Sequence, residues 1–155
     1  MISLADYPWQ DVRRVALPTA AECRAEALLR AFLQAPAPWV HRLMHWRDRL
    51  VAPLGLKVAA TPLPQAGQSL VVGERYGIFR VIAASRDAVL LGEDDRHLDF
   101  RLLLRWQPGE LQVITAVRPR NFGGRLYLAL VTPFHHLIVA HSLPRMRARL
   151  LALAA

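Results

Sequence analysis

The sequence predicts an α+β domain in which helices pack against an antiparallel sheet, in the order strand, two helices, several antiparallel strands and a long closing helix. Three observations predict it. Helical spacing of apolar residues follows one short strand near the N-terminus, then several segments alternate with a period of two. The final thirty residues are nearly continuous in apolar side chains and arginines, as a long packed helix would be. At 155 residues the chain suits a single domain, 1–155. That length buries roughly 70% of the unfolded surface, enough for a real core.

Val12 to Leu17 is the first strand, stopped by Pro18. Thr19 stands three residues before Glu22, the spacing of a capping box, so a helix is predicted from there through about Gln34. Leu28, Leu29, Phe32 and Leu33 give it an apolar side. Ala35-Pro36-Ala37-Pro38 breaks that helix, and Pro38 suits the first turn of the next. The second helix is predicted from about Trp39 to Leu54, with Trp39, Val40, Leu43, Met44, Trp46, Leu50, Val51 and Leu54 as a wide apolar stripe and Gly55 as its stop. Thr61 to Ser69 reads as a loop.

Strands follow. Ile78–Ala84 and Ala88–Gly92 flank Ser85-Arg86-Asp87, a predicted hairpin turn. Leu98 to Trp106 alternates apolar residues with Asp99, Arg101 and Arg105; Pro108-Gly109 makes the next turn, and Leu111 to Val117 alternates again. Leu70–Val72 and Tyr76 are where a further strand would lie. Gly124 to Leu153 is read as one helix bent near Pro133 and Pro144, with Leu126, Leu130, Phe134, Leu137 and Ile138 facing inward. A strand over Leu126–Thr132, followed by a shorter helix from Pro133, is the rival.

Composition excludes several classes of function. Cys23 is the sole cysteine, so an intrachain disulfide and a cysteine-based metal cluster are both ruled out. Met1 to Asp11 lacks the form of a secretory signal, and the longest wholly apolar run, Leu126 to Val131, falls far short of the ~20 residues of a membrane helix. A cytoplasmic protein without a transmembrane segment is expected; composition sets no oligomeric state. The net charge of +8 rests on arginine, with Lys57 the single lysine, and no acid follows Glu110. This basic balance invites a nucleic-acid reading, but no interleaved aromatic platform or recognised motif supports it.

Three ordered segments carry a resemblance: APAPWVHRLMHWRDRLVAPLGLK (Ala35 to Lys57), LGEDDRHLDFR (Leu91 to Arg101) and NFGGRLYLALVTPFHHLIV (Asn121 to Val139). Together they resemble the motifs of a bacterial domain family of unknown function, number 2867, over most of the chain. The order of elements also resembles the helix-grip fold of the START and Bet v 1 superfamily. That likeness implies a curved antiparallel sheet wrapped around a long C-terminal helix, with two helices after the first strand, and in many members an apolar small molecule between sheet and helix. A fold does not fix a function.

Candidate residues follow from these placements. Glu93, Asp94, Asp95, His97 and Asp99 form the densest ionisable group. On a strand, His97 and Asp99 would share a face and could act as an acid–base pair; pairing with arginines is the plainer role. His135, on the closing helix, could meet them across a cavity, or simply tie helix to sheet. His41, His45 and Asp48 share a helical face, but His-Arg-Leu-Met-His lacks the glutamate of a zinc protease, and a solvated face is the simpler account. No metal site, phosphate loop or nucleophile elbow is present, and no cofactor is expected. Arg145, Arg147 and Arg149 could touch nucleic acid or an anionic membrane, or merely complement the helix dipole.

The first reading is therefore a domain that binds an apolar, lipid-like small molecule between sheet and C-terminal helix, with Trp106, Tyr127, Phe134 and Asn121 as candidate ligand contacts. The second is a cyclase-like or hydratase-like enzyme using His97, Asp99 and His135. Interaction with nucleic acid comes third.

Overall fold

Two periods run through this chain, and each becomes a different layer. In the computed structural model, which describes residues 3–51, 63–65 and 67–154, strand β1 (Trp9–Ala16) precedes helices α1 (Ala25–Gln34) and α2 (Pro38–Val51). Then come β2 (Arg75–Tyr76), β3 (Phe79–Ala84), β4 (Ala88–Asp94), β5 (Leu98–Gln107) and β6 (Glu110–Pro119), and α3 (Phe122–Ala154) closes the chain. The strands form one open antiparallel sheet in the order β1-β6-β5-β4-β3-β2. Strands β3 to β6 follow one another by tight turns. The β3–β4 turn is closed by Ser85 N–H donating to the Ala88 carbonyl at 2.8 Å. The β5–β6 turn uses Gly109 at φ +88°, a left-handed conformation that glycine adopts without strain. Strand β1 returns to the free edge of β6, Trp9 opposite Val117 and Ala16 opposite Glu110. This is an α+β architecture consistent with a helix-grip arrangement.

Cross-strand partners share a face, so register identifies the core. Val89, Leu104 and Val113 form one row, and Leu91 and Leu102 another. These rows pack with Leu28 and Leu29 of α1 and with Met146 and Leu150 of α3 in one apolar cluster. Pro38 opens α2, as its fixed φ suits. The predicted end of α2 at Leu54 and Gly55 lies outside the described residues.

Several expectations need correction. Strand β1 begins at Trp9, three residues before Val12. The capping box does not form: α1 starts at Ala25 without a side-chain cap, and Glu22 pairs with Arg86 instead. A turn at Pro18–Ala21 consumes the predicted first turn, Ala21 N–H donating to the Pro18 carbonyl at 2.9 Å. The short strand β2 includes Tyr76, whereas Leu70–Val72 forms no strand. Residues 126–132 are helical, so the rival strand is excluded.

The largest correction concerns the faces of α3. Leu126, Leu130, Phe134 and Leu137 are exposed and Ile138 is half-buried. The inward side instead carries His135, Val139, Ser142 and Met146, at i, i+4, i+7 and i+11, and then Leu150. Apolar residues surround this helix, so spacing alone did not select a face. Its anchors did. At the start, Gly124 sits where a Cβ would come within 1.9 Å of the His97 carbonyl oxygen, so only glycine allows that approach. Met146 and Leu150 fix the other end in the core.

Candidate functional site

Along β1 the side chains alternate strictly, with Trp9, Asp11, Arg13 and Val15 half-buried and their neighbours exposed. The half-buried row lies on the helix-bearing face, since Arg13 is opposite Val113 and Asp11 opposite Thr115. Here α3 delivers His135. Its Nε2 donates to Asp11 Oδ2 at 2.9 Å, while Arg13 Nε donates to Asp11 Oδ1 at 2.9 Å. Trp9 packs edge-on against the His135 ring at a centroid distance of 5.3 Å, and Arg13 Nη2 donates to His136 Nδ1 at 3.1 Å.

Electrostatics sets the charge states. Burial works to raise the Asp11 pKa, but hydrogen bonds from Arg13 and His135 outweigh it and hold the carboxyl below its usual value. Burial lowers the His135 pKa, and the Asp11 carboxylate offsets this only partly. A neutral imidazole that donates through Nε2 keeps its lone pair on Nδ1. The result is a carboxylate-oriented histidine, able to accept a proton or to hold a polar ligand group.

Asp99 belongs to a different place. It opposes Arg118 across β5 and β6, and alternation puts it on the sheet face opposite Leu102, Thr115 and hence Asp11. Its carboxylate is 0% exposed. Arg118 Nη2 donates to Oδ2 at 2.8 Å and Arg120 Nε to Oδ1 at 2.7 Å. The guanidinium groups of Arg118 and Arg101 lie over the Tyr7 ring at 5.3 and 5.6 Å, and Arg101 also binds Asp94 at 2.6 Å. This is an ion-pair network fastening the N-terminal segment and the β6–α3 connection to the outer face.

His97 lies at the mouth of β5, where Asn121 Nδ2 donates to its Nδ1 at 3.2 Å. Asn121 caps α3, its Oδ1 accepting from Gly124 N–H at 2.9 Å. Thus His97, Asp99 and His135 each have a separate partner, and the fold does not bring the three together. Of the expected ligand contacts, Trp106 is on the helix-bearing face and its Nε1 is buried without a hydrogen-bond partner among the described residues. Tyr127 accepts a hydrogen bond from Arg47 Nε at 2.8 Å and so ties α3 to α2. Phe134 points outward.

Sequence reasoning missed Asp11, Arg13, Trp9 and His136. The available signal was the period-two row Trp9, Asp11, Arg13, Val15, which places an acid and a base where apolar residues are usual. His41 and His45 are exposed, and among the described residues no group of three or more metal-ligating side chains comes together. An open cleft of about 320 Å³ lies elsewhere, between α1 and the last turns of α3, lined by Arg24, Glu26, Arg30, Arg86, Leu150 and Leu153.

No curated protein and no solved structure matches this chain. A family model does, over residues 3–142, under the description "protein of unknown function (DUF2867)". With most of its length covered by that match, from the segment ahead of β1 into the middle third of α3, the chain belongs to the DUF2867 family.

Proposed function

We propose that this protein binds a small molecule with an apolar body between the helix-bearing face of the sheet and the inner side of α3, and that it does so in the cytoplasm. The observation that carries this reading is how α3 is held. It is buried at Gly124 and again at Met146 and Leu150, whereas its inward residues between them, Leu128, Thr132, His135, Val139, Ser142 and Leu143, are only half-buried. A helix clamped at both ends, with half-buried residues between its anchors, is a frame that a small molecule would complete. Two buried polar atoms on the facing surfaces, Trp106 Nε1 and Ser142 Oγ, have no protein partner among the described residues. Each such group costs roughly 1–3 kcal/mol if left unsatisfied, which a ligand or a water would relieve. The His135–Asp11 pair would face the polar end of the ligand.

The test is native mass spectrometry of the full chain together with binding of the dye anilinonaphthalene sulfonate. A retained apolar ligand, or dye binding abolished by S142W with the fold intact by circular dichroism, supports the reading. Dye binding unchanged by S142W, with no retained mass, refutes it.

A second reading, acid–base chemistry of the cyclase or hydratase kind, draws support from His135 with Asp11 as its orienting group rather than Asp99. It expects H135Q and D11N to retain the bound ligand while losing its conversion, followed by mass spectrometry of the extracted compound.

A further inference from the structure

The outer side of α3 carries Phe122, Leu126, Leu130, Phe134 and Leu137 at 78, 61, 65, 46 and 57% exposure. The spacing, i, i+4, i+8, i+12 and i+15, aligns them in one ridge. Helix α2 lies alongside, fixed by the Arg47–Tyr127 hydrogen bond at 2.8 Å and by Trp39 packed edge-on to His141 at 5.4 Å. From α2, Trp46 stands 64% exposed, with Arg49 over its ring. Single exposed apolar residues need no explanation, but an aligned ridge flanked by an exposed tryptophan does.

Charge indicates what covers the ridge. Helix α2 contributes Arg42, Arg47 and Arg49 against Asp48 alone. Helix α3 adds Arg125 and Arg145 and has no carboxylate at all, while its Arg147 donates to the Ala16 carbonyl and its Arg149 to Gln34. A second copy of this chain would bring the same positive surface and be repelled. Nucleic acid would accept the arginines but leave the leucines and phenylalanines without a partner, because its contacts are mostly to phosphate and sugar. An anionic lipid surface satisfies both features: acyl chains take the ridge, headgroups take the guanidinium groups, and tryptophan favours the boundary between them. Helix α3 is long and apolar enough to cross a bilayer. However, Gly124, His135, Met146 and Leu150 tie one side of it to the sheet and to α1, which leaves the other side to lie on a membrane.

We infer that the exposed face of α3, with Trp46 of α2, docks this protein on an anionic bilayer surface. The wild-type chain is mixed with vesicles of phosphatidylglycerol or of phosphatidylcholine and floated on a density gradient. It floats with the first and not the second, and Trp46 emission shifts to the blue, a change absent in W46F. L130E and F134E each weaken partition on the order of tenfold. Both positions are exposed, so the Tm is unchanged. R42Q/R49Q/R145Q weakens it further and removes its dependence on ionic strength, since screening acts only on the charged component. Absence of flotation with phosphatidylglycerol at low salt overturns the inference. So does partition that is indifferent to L130E, or a dimer in light scattering that L130E converts to monomer. Binding of duplex DNA that competes with vesicles and survives L130E also overturns it, by assigning the face to nucleic acid.

Discussion

Replacing Asp99 with asparagine separates a structural carboxylate from a working one. The side chain is fully buried and accepts from Arg118 Nη2 at 2.8 Å, Arg118 Nε at 3.2 Å and Arg120 Nε at 2.7 Å. Asparagine keeps the shape, but one terminal atom becomes a donor aimed at an arginine N–H, and the negative charge is lost. One hydrogen bond to a charged group is worth roughly 1.5–3 kcal/mol, and breaking a buried ion pair by removing one partner costs roughly 3–5 kcal/mol. The arginine side chains are 45 and 48% exposed, so water recovers part of their loss and the expected cost falls to about 3 kcal/mol. For a chain of this length that lowers the Tm by roughly 6–12 °C. Urea unfolding followed by tryptophan fluorescence measures it, with an unchanged m-value showing that the unfolded state is the same. A loss below about 1 kcal/mol would refute the view that Asp99 is the keystone of the outer-face network.

Gly124→Ala should lower stability by about 2 kcal/mol or more, because its Cβ would lie 1.9 Å from the His97 carbonyl oxygen, a backbone atom. Gly123→Ala, whose nearest neighbour is Asn121 Oδ1 at 3.3 Å, should stay within about 0.5 kcal/mol by calorimetry. Tyr76 donates to Glu74 Oε2 at 2.8 Å and, chiefly by burial, its pKa is pushed up to about 12. Its stabilisation is complete below the unfolded tyrosine value near 10 and fades as pH rises through the folded one. Alkaline unfolding of Y76F should therefore lack that component. His135 and Asp11 both have folded pKa values below their unfolded ones. Their contribution is present above about pH 6.5 for the histidine and about pH 4 for the acid, and is lost as pH falls through each folded value. D11N should lower the His135 pKa further, read by NMR titration of the ring protons.

The sheet was largely legible because its strands alternate and its turns carry Ser85-Arg86-Asp87 and Pro108-Gly109 at the right spacing. Local signals failed where a tertiary partner competed. Glu22 is claimed by Arg86, so it does not cap α1. Asp99 could be placed on a strand but not assigned a role, because its partners Arg118 and Arg120 come from the next strand and the connection beyond it. Asp11 and His135 meet only because β1 returns to the edge of β6, a pairing between distant segments that no local period encodes. Helix α3 was found as an element and misread as a surface, since a helix apolar all round gives no preferred side.

That last misreading has a physical consequence. A soluble helix hides its apolar stripe and shows water a polar one, yet α3 meets the sheet with a side that includes His135, Thr132 and Ser142, and turns leucine and phenylalanine outward. Selection for solubility alone would keep the outer side polar, because each buried leucine contributes roughly 1.5–3 kcal/mol and each exposed one contributes nothing. A helix apolar on both sides is economical only if both sides have partners. On the two readings proposed above, polar groups inside serve a ligand with at least one polar end, and apolar groups outside serve a surface that is itself apolar. If the two are coupled, docking through Leu130 and Phe134 would loosen the middle of α3 while Gly124 and Met146 hold its ends. Exchange of an apolar fluorescent ligand from the interior should then accelerate when phosphatidylglycerol vesicles are added, and L130E should abolish the acceleration without changing exchange in solution. Equal rates with and without vesicles would leave the two sides of α3 acting independently.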